Sequence, residues 1–97
     1  MVKIDVARVV AAADTNEQGE VVFNVLLGEL QRGTVILSFE GIKTATTSFV
    51  NSGFVPLLDS LSIEDIKQNL RIVESTKQIN DLIRARLFRV SSGTMVA

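Results

Sequence analysis

The 97-residue chain contains no cysteine, histidine, tryptophan or tyrosine. Without cysteine there is no disulfide and no thiol nucleophile, and without histidine there is no imidazole base. The usual nitrogen and sulfur ligands of zinc are missing as well. No stretch approaches the roughly 18 apolar residues that span a bilayer. These absences exclude most familiar catalytic chemistry, so we expect no catalytic residues, no metal and no other cofactor.

The composition that remains is that of one small folded domain. Apolar residues make up 46% of the chain and charged residues 22%, which is close to the average of soluble globular proteins. A single domain over residues 1–97 is therefore predicted. The N-terminal ten residues carry Lys3, Asp5 and Arg8, which interrupt any targeting segment. We expect a cytoplasmic protein.

The net charge of −1 creates no general attraction for nucleic acid or for an anionic membrane, and we expect neither as a partner. The charge is nevertheless uneven: residues 1–75 carry six basic against ten acidic residues, and residues 76–97 carry four against one. One interpretation is a solvent-exposed last helix, whose late basic residues interact favourably with the negative end of the helix dipole. The other is a docking surface for an acidic partner.

Hydrophobic periodicity divides the chain into alternating strands and helices. Strands are predicted at 2–7, with a continuation to 10, at 34–39 and at 70–74. Helices are predicted over about 15–33, 46–61, 62–69 and 75–90, and residues 91–97 are expected to fray. Thr15 and Gln18 have the spacing of a capping box. Pro56 predicts a break or kink in the second helix near Gly53.

This order predicts an α/β fold: a small βαβαβα layer with a mostly parallel three-stranded sheet and helices mainly on one face. The presumed bare face is mostly polar, as a face without helices should be. Its polar or small positions are Lys3, Asp5, Ala7, Thr34, Ser38 and Arg71. Ile36 and Val73 are its apolar exceptions, and they either contribute to a homodimer contact or are ordinary surface residues.

The six glycines are too dispersed for either nucleotide-binding fingerprint. The informative segment is residues 35–50, with the sequence VILSFEGIKTATTSFV. It combines an apolar strand, a loop of the form F-x-G-I, a cluster of hydroxyl residues and the start of an apolar helix. This arrangement resembles the STAS-like domains of unknown function found in bacteria, which are relatives of the sulfate-transporter and anti-sigma-factor-antagonist (STAS) domains. The resemblance is best over 33–58 and extends over about 15–90.

The resemblance implies a regulatory site at the start of the second helix. In anti-sigma-factor antagonists a turn of the type Asp-Ser-Ser-Gly carries a serine that a partner kinase phosphorylates. Thr47 takes the phosphoacceptor position here and Ser48 is its neighbour, whereas Thr46 replaces the acidic residue and Phe49 the glycine. A helix N-terminus favours added negative charge. The alternative is that one of these hydroxyls simply caps the helix.

Two functions are compatible with these patterns. The first is a non-enzymatic regulatory module that binds a protein through the loop and helix at 40–58, with a histidine-kinase-like ATPase or an anti-sigma-like regulator as the partner that the resemblance implies. Its predicted contact residues are Glu40, Lys43, Thr46, Thr47, Ser48 and Asn51. The second is a small ligand-binding or enzymatic domain that uses Glu40, Lys43 and the hydroxyls of residues 46–48 at the carboxyl end of the second strand.

Overall fold

The computed structural model describes the backbone of residues 2–96 and the side chains of residues 2–88. Its strands are β1 (Val2–Asp5), β2 (Val35–Ser38) and β3 (Leu70–Val73). Its helices are α1 (Val6–Val9), α2 (Asn16–Leu30), α3 (Thr47–Gly53), α4 (Ile63–Asn69) and α5 (Lys77–Val96), with a 3₁₀ helix (Val55–Asp59) between α3 and α4. Within the described residues, no helix is both long and apolar enough to cross a membrane.

The strands form one parallel three-stranded sheet in the order β1, β2, β3. Ile4 pairs with Leu37 and Leu37 with Ile72, so these apolar side chains share the face that carries the helices. Lys3 and Arg71 belong to the alternate row and are exposed on the other face. The predicted α/β class, with a parallel sheet and helices mainly on one face, is confirmed.

The first strand is shorter than predicted. β1 ends at Asp5, which pairs with Ser38, the last residue of β2. Beyond this point a continued strand would have no neighbour to complete its hydrogen bonds. The chain instead turns once as α1, closed by a hydrogen bond of 2.9 Å from the Val10 amide to the Val6 carbonyl, and Val6 is fully buried. The prediction of a strand to residue 7 or 10 was therefore wrong, because alternation alone does not show where the partner strand ends.

The helix boundaries follow their capping and breaking residues. Thr15 and Gln18 form the predicted capping box at the start of α2. The predicted break is also present: α3 ends at Gly53, and Pro56 lies in the first turn of the 3₁₀ helix, where its missing N–H costs no helical bond. α5 continues past residue 90, where the apolar stripe ends, to Val96. Fraying of 91–97 remains a prediction, and Ala97 lies outside the described residues.

Three phenylalanines form the part of the core that supports the loop after β2. Phe39, Phe49 and Phe54 are all fully buried. The ring centroids of Phe39 and Phe54 lie 6.5 Å apart in a stacked arrangement, and those of Phe49 and Phe54 lie 6.3 Å apart and tilted. Aromatic pairs at these distances add to the stabilisation from burial. Because Phe39 precedes the loop and Phe49 follows it, both ends of the loop are fixed in the core.

Helices α2 and α3 approach each other closely through glycine. A Cβ atom on Gly19 would lie 2.5 Å from the carbonyl oxygen of Phe49 and 2.9 Å from the Cβ of Ser52. Gly53, across the contact, would place a Cβ 3.2 Å from the carbonyl oxygen of Gly19. The backbones themselves therefore form this contact, and the sequence patterns did not identify it.

Substitution Gly19→Ala should destabilise the fold, because the added methyl group forces α2 and α3 apart. We expect a loss of about 1–3 kcal/mol in the free energy of unfolding, measured by urea denaturation. Gly28→Ala is the matched control on the same helix, since nothing lies within 4 Å of its added Cβ. That change should stabilise the protein by up to about 1 kcal/mol through helix propensity. Equal effects of the two substitutions would contradict the close contact.

Candidate functional site

The loop between β2 and α3 lies at the carboxyl edge of the sheet. Its first turn is closed by a hydrogen bond of 2.8 Å from the Ile42 amide to the Phe39 carbonyl. Gly41 has a φ of 86° in this turn, a backbone conformation that residues with a Cβ atom rarely adopt. Ile42 and Ala45 are buried and anchor the loop. The other side chains of the loop beside these anchors are exposed, and the anchored backbone holds them in place; they are Glu40, Lys43 and Thr44.

The start of α5 fastens this loop from one side. The side-chain amide of Gln78 accepts a hydrogen bond from the Ala45 amide and donates one to the Ala45 carbonyl, both at 3.0 Å. The hydroxyl of Thr76 donates to the Lys43 carbonyl at 3.1 Å and accepts from the Ile79 amide at 3.3 Å. Thr76 thus caps α5 and holds the loop with the same oxygen.

The segment before α2 fastens the loop from the other side. The Thr46 amide donates to the Ala13 carbonyl at 3.0 Å, and the Thr46 hydroxyl donates to the Asp14 carbonyl at 2.7 Å. The connections after all three strands are consequently joined at one edge of the sheet. The loop between them has little freedom to move relative to its neighbours.

The three consecutive hydroxyl residues have different roles in the structure. Thr46 is the N-cap of α3, and its hydroxyl oxygen accepts from the Phe49 amide at 3.2 Å. Thr47 and Ser48 are the first two residues of the helix and are exposed. In the described part of the chain, neither of their hydroxyl groups forms a hydrogen bond. Thr46 is therefore occupied by structural contacts, whereas the other two hydroxyls face solvent.

The remaining predicted contact residues also separate into two groups. Glu40 and Lys43 are exposed, as Thr47 and Ser48 are. Asn51 is only partly exposed, and its side-chain carbonyl accepts a hydrogen bond of 2.9 Å from the Arg86 Nε atom. Asn51 therefore connects α3 to α5 and is less available to a partner than the other four.

A polar cluster beside the loop was not predicted. The Ser38 hydroxyl donates to Glu74 Oε1 at 3.1 Å and accepts from the Glu40 amide at 3.2 Å. Lys3 Nζ lies 3.4 Å from the same Glu74 oxygen. Each side chain comes from a different strand or strand end, so no local pattern could identify the cluster. Its hydrogen bonds satisfy the hydroxyl of Ser38, which is fully buried.

The charge of Glu74 is stabilised by this cluster. The hydrogen bond from Ser38 lowers the pKa of the Glu74 carboxyl below its ordinary value; partial desolvation opposes the shift, and the positive charge of Lys3 adds to it. Glu74 also has a φ of 53°, which is unusual for a residue with a side chain. The cluster therefore holds a carboxylate on a locally strained backbone.

No group of three or more carboxylates converges anywhere among the described side chains. Within that same part of the chain, the surface of Glu40, Lys43, Thr47 and Ser48 offers hydroxyl, ammonium and carboxylate groups to a partner. We call these four residues the loop–helix surface. Its polar groups are accessible to a partner, and hydrogen bonds from Ala45 and Thr46 to neighbouring segments hold the loop that carries them.

Comparison with known proteins agrees with this architecture. The family model of the STAS-like domain of unknown function (DUF4325) matches residues 18–80, which is more than half of the chain. The chain therefore belongs to this family, and the resemblance stated from residues 33–58 is confirmed. The match runs from α2 to the start of α5 and includes the whole loop–helix surface. No curated protein and no solved structure is a significant match to the chain.

Removing each hydroxyl in turn should distinguish capping from exposure. Thr46→Ala loses both the cap of α3 and the bond to the Asp14 carbonyl, so we expect a loss of about 1–2 kcal/mol in unfolding free energy. Thr47→Ala and Ser48→Ala should each change it by less than about 0.5 kcal/mol. Urea denaturation measures all three, and a larger effect at residue 47 or 48 than at residue 46 would contradict the assignment.

The polar cluster should make stability depend on pH. Since the pKa of Glu74 is lowered on folding, its carboxylate stabilises the fold above the ordinary pKa, and this contribution is lost as pH falls through the lowered value. Glu74→Gln should therefore be less stable than the natural chain near neutral pH, and the difference should close in acid. Urea denaturation across this pH range measures it.

Glu20→Gln, which removes an exposed carboxylate of α2 outside the cluster, is the matched control. It should not produce a difference that closes in this way. A Glu74→Gln deficit that persists unchanged at acid pH would show that the carboxylate charge is not responsible.

Proposed function

We propose that the chain is a regulatory protein-interaction domain without catalytic activity, and that a partner protein contacts the loop–helix surface. The observation that carries the proposal is the division of roles among residues 46–48. Thr46 alone caps α3, so Thr47 and Ser48 are exposed and have no structural task among the described contacts. Membership of the STAS-like family supports a regulatory role.

Rigidity favours binding at this surface. Anchors on both sides, Ala45 to α5 and Thr46 to the segment before α2, hold the loop before a partner arrives. A surface already ordered in the free protein loses less conformational entropy on association. The exposed side chains of Glu40 and Lys43 add one charge of each sign for selecting the partner.

Phosphorylation is the switch that this geometry favours. The hydroxyl oxygen of Thr47 or Ser48 would attack the terminal phosphorus of a nucleoside triphosphate held by a partner kinase. The new oxygen–phosphorus bond replaces the bond to the departing nucleoside diphosphate, and the hydroxyl proton passes to a base of the kinase. The added charge of about −2 at the centre of the contact would change which partner binds.

The same observations disfavour the alternative of a small enzyme or ligand-binding domain. Of the hydroxyls that it requires, Thr46 is engaged in capping. Lys43 is exposed, whereas ligand sites are concave and enclosed. Surface grooves are present elsewhere: one of about 500 Å³ lies between α4 and α5, and one of about 480 Å³ lies between α2 and α3.

Charge introduced at the free hydroxyls should alter partner binding without unfolding the domain. The partner is first identified by co-purification from the native host, and its affinity for the variants is measured by calorimetry. Ser48→Asp or Thr47→Asp should change the Kd about tenfold or more while the far-UV circular dichroism stays the same. Gln68→Glu, which adds the same charge on exposed α4, is the control and should leave the Kd unchanged.

If neither aspartate variant changes the affinity, the assignment of the loop–helix surface is wrong. A parallel measurement tests the ligand alternative: melting temperatures are compared with and without nucleotides and small metabolites. Binding to the folded state alone raises the melting temperature. A large, reproducible rise that Lys43→Ala abolishes would replace our proposal with the ligand alternative.

A further inference from the structure

A groove of about 500 Å³ opens between α4, β3 and α5. Most of the side chains that line it are apolar. Its walls come from α4 and α5, and Leu70 and Ile72 of β3 form its floor. It shares no residue with the loop–helix surface, and the function proposed above makes no use of it.

The groove exists because the helical layer does not close over the edge strand. The side chains of β2 on the helix-bearing face, Val35 and Leu37, are fully buried, whereas their neighbours in β3, Leu70 and Ile72, are only partly buried. The walls are helical: on α4 the lining residues Ile63, Ile66 and Lys67 recur at i, i+3 and i+4. On α5 the lining residues recur at i, i+3, i+4, i+7 and i+8; they are Asn80, Ile83, Arg84, Leu87 and Phe88. A partly exposed apolar floor therefore lies between two helix faces.

Among the side chains that the structure describes, the two charged ones in the lining are both basic. They are Lys67 from α4 and Arg84 from α5, and neither forms an ion pair with the other described residues. Lys67 Nζ lies 4.4 Å from the ring centroid of Phe88, which is 38% exposed. The acidic residues of these two helices lie outside the lining; they are Glu64, Asp65 and Asp81. The groove thus combines an apolar floor with unpaired positive charge.

We propose that this groove binds an acidic amphipathic helix of a protein partner. The apolar face of that helix would cover the exposed surface of Leu70, Ile72 and Phe88, and its flanking carboxylates would pair with Lys67 and Arg84. A helix fits because both walls are helix faces whose side chains can interdigitate with a third. Arg84, one of the four basic residues of positions 76–97, would thereby belong to a docking surface for an acidic partner.

Charge also argues against a second copy of this chain as the occupant. In a two-fold symmetric dimer the same surface patch of both copies forms the interface, so the groove of one copy would face the groove of the other. Lys67 and Arg84 would then face the same two cations across the interface, and like charges in such a position are unfavourable. An acidic partner supplies the opposite charge.

The test uses two synthetic amphipathic peptides of about 20 residues, long enough to form a helix on binding. Both carry leucine at i, i+3, i+4 and i+7; one carries glutamate at the flanking positions and the other lysine. Titration into ¹⁵N-labelled protein is followed by amide chemical shifts. The acidic peptide should perturb amides of α4, β3 and α5 and bind at least about tenfold more tightly than the basic one, with binding that weakens as salt is added.

Variants locate the binding site. Lys67→Glu combined with Arg84→Glu should weaken binding of the acidic peptide about tenfold or more, and Phe88→Ala should weaken it through loss of apolar contact. Lys77→Glu is the matched control: it reverses a charge on α5 outside the groove and should have no comparable effect. Thr47→Asp should also leave the peptide affinity unchanged, so the outcome is independent of the function proposed above.

Three outcomes would overturn the proposal. The first is equal affinity for the acidic and basic peptides, and the second is perturbation confined to amides outside α4, β3 and α5. The third is sedimentation showing a dimer that Phe88→Ala disrupts, which would assign the groove to a second copy of the chain.

Discussion

The paired hydrogen bonds between the Gln78 side chain and the backbone of Ala45 connect the last helix to the loop after the central strand. A carboxamide is one of the few side chains that can satisfy both polar groups of one residue at once. Since Thr46 follows immediately and caps α3, the position of that helix depends on this contact. The exposed hydroxyls of Thr47 and Ser48 therefore depend for their position on Gln78, which is distant from them in the chain.

The apolar core and these hydrogen bonds fix the same loop from two directions. Beneath it, Phe39 and Phe49 fill the interior on either side of Phe54, and Ile42 anchors the turn. Beside it, polar contacts determine which backbone groups meet. Burial contributes most of the free energy but has no direction, whereas hydrogen bonds are directional. A small domain without disulfides can in this way hold an exposed surface in one conformation.

Local patterns in the sequence were sufficient for the order of elements apart from α1, and for the parallel sheet, the capping box at Thr15 and the break before Pro56. Each depends on residues close together in the chain. The end of β1, the Gly19 contact and the cluster of Ser38 with Glu74 were missed for the opposite reason. They depend on where a neighbouring strand stops, how closely two helices approach, or which side chains several strands bring together, and none of these leaves a periodic signal.

Capping and modification of residues 46–48 were alternatives at the level of sequence, because one hydroxyl can hardly do both. In the structure Thr46 caps α3, and Thr47 and Ser48 are exposed. The Thr46 hydroxyl accepts a hydrogen bond from the Phe49 amide and donates one to the Asp14 carbonyl. Both bonds would have to break before this hydroxyl could react, and the helix would lose its cap. The two hydroxyls that follow can change state without this cost. A switch at residue 47 or 48 would thus alter the charge presented to a partner while the fold that presents it stays intact.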